Sequence, residues 1–184
     1  IIFMNTSEVV VIVDDNPGFK ADIFKEAAEK EGFDTDKVIE LYSPGNKEWY
    51  DYIRENLKEI RENYHNVVLF LDRNLGWRVE SGYEREELPL ELFISLVNND
   101  LKEGDTIICS SVDVAEQFAE YRNTFFPENK SFPINGGGKK VEYKGILVAQ
   151  PGQYWRYSQE CIREAKHWAE SKMHNIEGSS GSLR

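Results

Sequence analysis

Five short aliphatic runs recur along the chain, and within them apolar and polar residues mostly do not alternate. The runs are "VVVIV" (Val9 to Val13), "KVIELY" (Lys37 to Tyr42), "VVLFL" (Val67 to Leu71), "TIICS" (Thr106 to Ser110) and "GILVA" (Gly145 to Ala149). A strand with apolar side chains on both of its faces must be covered on both sides, as the strands of a parallel sheet are. The runs therefore predict five strands of a buried parallel sheet.

The segments between the runs place apolar residues three and four positions apart, which is the pattern of an amphipathic helix. The apolar faces consist of Phe19, Ile23, Phe24, Ala27 and Ala28; of Trp49, Tyr52, Ile53, Leu57 and Ile60; of Leu92, Phe93, Leu96 and Val97; of Val114, Ala115, Phe118 and Ala119; and of Tyr154, Tyr157, Cys161, Ala165, Trp168 and Ala169. Strands that alternate with such helices predict an α/β fold, a doubly wound (βα)5 parallel sheet with right-handed crossovers.

The composition bounds the class of protein. The chain has 184 residues, 40% of them hydrophobic, which is enough for the core of a single domain. We assign that domain to residues 7–174 and expect 1–6 and 175–184 to be flexible termini or cloning remnants.

The charge and the cysteine content exclude some classes of protein. Lys and Arg number 22 against 33 Asp and Glu, a formal net charge of −11, which disfavours direct binding of nucleic acid. Two cysteines and the lack of a membrane-spanning apolar stretch predict a cytoplasmic protein without membrane insertion.

Polar side chains follow the predicted strands at their carboxyl ends, where the loops of a doubly wound sheet gather its functional residues. Asp14 and Asp15 follow the first strand, Asp72 the third, Ser110 ends the fourth, and Gln150 follows the fifth. Three carboxylates in one place repel one another, and a hard cation such as Mg²⁺ can neutralise them and attract a phosphoryl group. An aspartate can also be the nucleophile that forms an acyl phosphate.

Each of these side chains also has a purely structural interpretation. Asp14 and Asp15 could cap the following helix and interact favourably with its N-terminus, and Asp72 could be an ordinary turn residue at a strand end. The hydroxyl of Ser110 could be satisfied by a backbone group. The coincidence of Asp72 with the acidic pair favours the metal site.

Four segments, in this order, resemble the receiver domain of bacterial two-component response regulators. They are "VDDN", "FLDRN", "IICSS" and "ILVAQP", and the resemblance covers roughly Val9 to Met173. It implies a flavodoxin-like, receiver-like fold and regulation through a protein partner, such as a histidine kinase or an output protein. A homodimer is a further assembly that the resemblance leaves open.

The same resemblance implies roles for individual residues. Asp14 and Asp15 would bind magnesium, and Asp72 would be both a metal ligand and the phospho-acceptor. Asn74 would lend its backbone carbonyl to the metal, and Ser110 would be the switch hydroxyl.

The sequence departs from the family's pattern in three places. Gln150 stands where the family has a phosphate-binding lysine, so this position can donate a neutral hydrogen bond but carries no positive charge. The link from Asp72 to Leu92 is longer than usual and has Gly76 where a proline is common. A second addition, from Tyr121 to Tyr143, is either an extra hairpin or a mobile flap. We therefore predict insertions after strand 3 and between helix 4 and strand 5.

These features predict a signalling module that regulates a partner, and not an enzyme. Its only chemistry would be self-phosphorylation of Asp72 from a donor, and Gln150 makes that site a candidate for degeneracy. The alternative is a small phosphatase or phosphotransferase of the haloacid-dehalogenase kind, which also uses a strand-end Asp and magnesium. That family carries Asp-x-Asp at its first strand, whereas Asn16 stands two residues after Asp14 here.

Overall fold

The computed structural model of the protein describes residues 8–15, 19–72, 74–79, 82–87, 90–109, 131–134, 138–150 and 158–180. In chain order the elements are β1 (Glu8–Val13), α1 (Phe19–Lys30), β2 (Val38–Leu41), α2 (Trp49–Ile60), β3 (Asn66–Leu71), β4 (Asn74–Val79), β5 (Gly82–Glu87), α3 (Leu90–Ser95), β6 (Thr106–Cys109), β7 (Ser131–Ile134), β8 (Gly138–Tyr143), β9 (Ile146–Gln150) and α4 (Ser158–Ser180). A 3₁₀ turn (Thr35–Lys37) precedes β2, and a π-helical turn (Leu96–Asp100) continues α3.

In the described part of the chain, seven strands form one sheet in the order β2, β1, β3, β6, β9, β8, β7. The first five are parallel, and numbered among themselves they have the order 2-1-3-4-5, which is that of flavodoxin-like doubly wound sheets. The predicted fold class is therefore confirmed. Since these five strands point the same way, the sheet has a carboxyl end, where they all finish, and an amino end, where they all begin.

The central strands show why the aliphatic runs form a sheet with two covered faces. Every residue of Val9–Val13 and Val67–Leu71 is buried. Successive residues of β1 alternate between two cores, one under α2 and α3 and the other under α1 and α4. β-Branched side chains are stiff at χ1 and pack well on a pleated surface, which favours strand over helix in these runs.

Both insertions contain β-hairpins. β4 and β5 pair antiparallel in a separate two-stranded sheet directly after β3. β7 and β8 pair antiparallel, and β8 adds antiparallel to β9, so the second hairpin widens the large sheet. The two predicted insertions are confirmed, and the second is a hairpin over the described part of Ser131 to Tyr143. The helix predicted around Val114 to Ala119 lies outside the described residues, as do Tyr154 and Tyr157.

At the amino end of the sheet, a partly buried ion pair joins the loop before β6 to the end of α2. The carboxylate of Asp105 is fully buried and is bound by both terminal nitrogens of Arg61, with 2.9 Å between Nη1 and Oδ1. The backbone N–H groups of Val67 and Lys102 donate to the same carboxylate over 2.9 and 2.8 Å. A bidentate arginine and two amides satisfy this charge, so Asp105 is a structural residue.

Candidate functional site

Three acids lie at the carboxyl end of the sheet because β1 and β3 are neighbours there. Asp14 and Asp15 follow β1, and Asp72 follows β3. The N–H of Asp72 donates to the carbonyl of Val13 over 2.9 Å, and that of Asp14 donates to the carbonyl of Leu41 over 3.1 Å. The backbone hydrogen-bonding of the sheet therefore continues one residue past the strands and holds the main chain of both acids.

The three carboxylates converge. One carboxylate oxygen from each of Asp14, Asp15 and Asp72 lies within 4.8 Å of those of the other two. Asp14 and Asp72 are only 3% and 6% exposed, and Asp15 is partly buried. At such a separation two ionised carboxylates repel each other by roughly 3 kcal/mol if the effective dielectric constant is about 20. A positive ion between them would offset this repulsion.

The donor set fits a hard divalent cation. In an octahedral Mg²⁺ site with metal–oxygen distances of about 2.1 Å, oxygens lie about 3 Å apart when adjacent and about 4.2 Å apart when opposite. Oxygens that lie within 4.8 Å of one another are close to that spacing. Mg²⁺ keeps several of its waters, so one or two protein carboxylates already suffice. Asp14, Asp15 and Asp72 are the residues that would hold it.

The other site residues predicted from the sequence are placed as follows. Asn74 is the first residue of β4, two positions after Asp72. Gln150 is the last residue of β9, and β6 lies between β9 and β3. β6 ends at Cys109, and Ser110, the next residue, lies outside the described part of the chain. The fold thus groups the acids and places the end of β9 two strands from β3, about 10 Å away by strand spacing.

The hairpin inserted after β3 holds Asp15. The N–H of Gly76 in β4 donates to Asp15 Oδ2 over 2.8 Å. The carbonyl of Gly76 accepts a buried hydrogen bond from the indole Nε1 of Trp49, the first residue of α2, over 3.1 Å. A proline at position 76 would have no N–H to donate, so the contact with Asp15 requires a residue other than proline there.

Sequence reasoning missed this arrangement. It identified Gly76 only as a replacement for a common proline, and it assigned Trp49 only to the apolar face of a helix. The two contacts join residues that are 61 and 27 positions apart in the chain. The lack of a proline at Gly76 was the one available signal, and nothing in the sequence indicated Trp49.

Among the described groups with displaced pKa values, Cys161 and Glu8 show large shifts, and both lie away from the acidic cluster of Asp14, Asp15 and Asp72. Burial raises the pKa of the Cys161 thiol in α4 to about 12, so it is not a nucleophile at neutral pH. Glu8 begins β1 at the amino end of the sheet. Burial raises its pKa to about 7, although Lys166 and Lys37 oppose the shift. Neither group belongs to the candidate site.

The described surface shows two large apolar side chains that are more than half exposed. Tyr42 follows β2 and is 55% exposed, and Phe132 lies in β7 and is 59% exposed. They therefore lie at opposite edges of the seven-stranded sheet, whose outermost strands are β2 and β7. None of the described helices has both the length and the apolarity needed to cross a lipid bilayer.

Comparison with known proteins adds no family assignment. No protein-family model matches the sequence, and no curated protein matches it significantly. The function is therefore inferred from the fold and from the acidic cluster.

Proposed function

We propose that this protein is a receiver-like regulatory module that acts by binding a protein partner. Its centre takes Mg²⁺ at Asp14, Asp15 and Asp72, with the backbone carbonyl of Asn74 as a further ligand. The observation that carries the proposal is the convergence of three carboxylates, within 4.8 Å of one another, at the ends of two adjacent parallel strands. Mg²⁺ in this place supplies the positive charge that neutralises the acids and an incoming phosphoryl group.

Asp72 is the proposed phospho-acceptor, on the basis of the resemblance of "FLDRN" to a phospho-acceptor strand end. Its main chain is held by the hydrogen bond to Val13, so the carboxylate projects from a rigid support. One carboxylate oxygen attacks phosphorus, and the bond from phosphorus to the donor's leaving oxygen breaks. The electron pair leaves with the donor, which is acetate when acetyl phosphate is used.

Gln150 weakens this chemistry. A neutral hydrogen bond contributes about 1 kcal/mol net, and roughly twice as much when one partner is charged. Lys139 of β8 pairs directly opposite Gln150 and is exposed. β8, however, is three strands away from β3, about 14 Å by strand spacing, so Lys139 is too distant to replace the missing charge at Asp72. We therefore propose that phosphorylation is weak or absent and that regulation comes mainly from partner binding.

The proposed partner is a protein, such as a histidine kinase or an output protein, and a second copy of the chain is a further candidate. The net charge of −11 opposes binding to a phosphate backbone. Tyr42 and Phe132 offer aromatic contacts of the kind that protein interfaces favour.

The proposed compartment is the cytoplasm, since a buried, unpaired Cys161 is compatible with reducing conditions.

A cation titration tests the proposal. We expect the melting temperature to rise with millimolar Mg²⁺ or Mn²⁺, because an ion that binds only the folded chain adds about 2.7 kcal/mol of stability at 100 times its Kd. Asp72→Ala should lose most of this gain. Asp36→Asn is the matched control, since Asp36 is an exposed acid in the 3₁₀ turn before β2 and should leave the gain unchanged.

An equal gain in Asp72→Ala would show that the cation binds elsewhere.

A second experiment tests phosphorylation. The protein is treated with acetyl phosphate, and phosphoryl groups are counted by mass spectrometry. Amide exchange with and without beryllofluoride is measured in parallel. Little modification of Asp72 is expected. Stoichiometric phosphorylation with altered protection near Ser110 would establish a working phospho-switch, contrary to the proposed weak site. Turnover of an aryl phosphate with Mg²⁺ would favour the haloacid-dehalogenase alternative.

A further inference from the structure

Gly76 is the point at which the inserted β4–β5 hairpin contacts both the acidic cluster and helix α2. Its N–H is bound to the Asp15 carboxylate and its carbonyl to the indole of Trp49. The residue before it, Leu75, is 2% exposed and belongs to the same core as Trp49 and Phe93. The start of the hairpin is therefore anchored in the protein interior and does not lie loosely on the surface.

Trp49 is itself held firmly. It is 6% exposed, and its ring packs edge-on against Tyr52 with 5.8 Å between centroids. An indole in this environment has little freedom to move, so its N–H fixes the carbonyl of Gly76. The peptide group that follows Gly76 is thus held by α2, and the peptide group that precedes it donates its N–H to the Asp15 carboxylate.

We infer that the contacts from Trp49 through Gly76 to Asp15 couple a divalent cation in the acidic cluster to the position of the β4–β5 hairpin. This inference rests on the cation site proposed above. Gly76 and Trp49 are positioning residues: they orient a ligating carboxylate before the cation arrives, as the hydrogen-bonding partners of metal ligands commonly do.

The coupling must act in both directions. If the hairpin improves cation binding, a bound cation improves the anchoring of the hairpin by the same factor. The order of the hairpin then reports whether the cluster is occupied. A protein partner that contacts this hairpin would sense the cation without touching it.

The first test compares two tryptophan variants by cation titration. Trp49→Phe keeps an aromatic ring but removes the N–H that binds Gly76, and it should weaken cation affinity by up to about fivefold, the factor that one ordinary hydrogen bond represents. Trp168→Phe is the matched control, because the Trp168 indole also donates to a glycine carbonyl, that of Gly145, over 2.9 Å. Gly145 lies in the turn between β8 and β9, away from the cluster, so this variant should bind the cation as the parent does.

The second test needs no substitution and therefore stands even if Trp49→Phe fails to fold. Exchange of the Gly76 amide is measured with and without Mg²⁺ in the parent protein. If opening of the hairpin requires loss of the cation, exchange should slow about tenfold at a concentration ten times the Kd. The amide of Gly104, which donates to the carbonyl of Gly145 over 2.9 Å at the amino end, is the internal control and should change far less.

The outcomes separate this inference from the proposal on which it depends. If the parent protein shows no saturable cation effect that Asp72→Ala abolishes, the cation site fails and the coupling fails with it. If that effect is present but Trp49→Phe binds equally well, or Gly76 exchange ignores the cation, the site stands and the coupling is wrong. Weaker binding in Trp49→Phe alone, together with slowed Gly76 exchange, supports both.

Discussion

The two ends of the parallel sheet both carry buried carboxylates, but in opposite electrostatic settings. At the amino end, Asp105 is bound by the guanidinium of Arg61 and by two backbone amides. At the carboxyl end, Asp14, Asp15 and Asp72 bring their oxygens within 4.8 Å of one another. In the first arrangement one carboxylate is bound by a guanidinium and two amides, whereas in the second three carboxylates lie close together.

If the proposed cation site is correct, this difference separates a carboxylate that stabilises the fold from a group of carboxylates that binds an ion. A buried charge that is paired and hydrogen-bonded is costly to disrupt, because removal of one partner leaves the other uncompensated. Repulsion between like charges lowers the stability of the folded chain. Proteins commonly retain such a loss of stability at sites that bind a ligand. The same substitution, Asp to Asn, should therefore have opposite effects at the two ends.

The largest expected effect is at the amino end. Asp105→Asn should lower the free energy of unfolding by roughly 3 kcal/mol or more, because the guanidinium of Arg61 loses its buried counter-charge. Denaturant unfolding measures this directly. Glu55→Gln is the control: Glu55 forms an exposed ion pair with Lys47, and such pairs contribute at most about 1 kcal/mol. If the two variants were equally mild, the contacts of Asp105 with Arg61 and the two amides would not be important for stability.

The opposite sign is expected at the carboxyl end. In buffer freed of divalent cations, Asp72→Asn should leave the free energy of unfolding unchanged or raise it by about 1–2 kcal/mol, because it removes repulsion with Asp14 and Asp15. The measurement is the same unfolding experiment, repeated with saturating Mg²⁺, where the variant should fall behind the parent. A loss as large as that of Asp105→Asn in cation-free buffer would erase the contrast between the two ends.

The third effect depends on pH and concerns Glu8, a partly buried acid at the amino end of the sheet. Burial raises its pKa from 4.5 to about 7, with Glu170 reinforcing the shift and Lys166 and Lys37 opposing it. Because the folded pKa lies above the unfolded one, the folded chain binds the proton more tightly. The contribution of Glu8 to stability is therefore full below pH 4.5 and is lost as the pH rises to about 7.

Glu8→Gln removes this titration. Apart from a constant difference at all pH values, the free energies of unfolding of the variant and the parent should be equal near pH 4.5. At pH 8 that of the variant should be higher by about 1–2 kcal/mol, a figure reduced because Glu8 is partly exposed to water. Unfolding curves recorded from pH 4.5 to 8 for both proteins provide the comparison. Parallel pH profiles would mean that Glu8 is already ionised at neutral pH in the folded chain.

Much of the fold could be predicted from the sequence because buried parallel strands have a strong local signature. The run at Val9 to Val13 became β1 with one additional residue, Glu8, and the run at Val67 to Leu71 became β3 with one additional residue, Asn66. The strands β4 and β5 were not predicted. The sequence of β5 is "GYEREE", which lacks the apolar pattern of a buried strand. β4 and β5 pair with each other in a separate sheet and are not strands of the large buried one.

The acidic cluster was predictable because Asp14, Asp15 and Asp72 immediately follow recognisable strands, and parallel strands finish at one end of their sheet. The contacts around the cluster were not. The carboxylate of Asp15 meets Gly76 from 61 positions away, and Asp105 meets Arg61 from 44 positions away. Such partners are chosen by tertiary packing, which local spacing and residue type do not encode.

The hairpin of β7 and β8 has a consequence for how the protein behaves in a crowded solution. Without it, β9 would end the parallel sheet and present a row of unpaired backbone groups to other chains. β8 pairs along β9, so the outermost strand of the described sheet on this side is β7, which is short and contains Pro133. Short edge strands that contain a proline resist edge-to-edge aggregation, because proline has no amide hydrogen to share with a neighbouring molecule. The insertion thus replaces an open edge at β9 with a short, proline-containing edge strand, which disfavours aggregation.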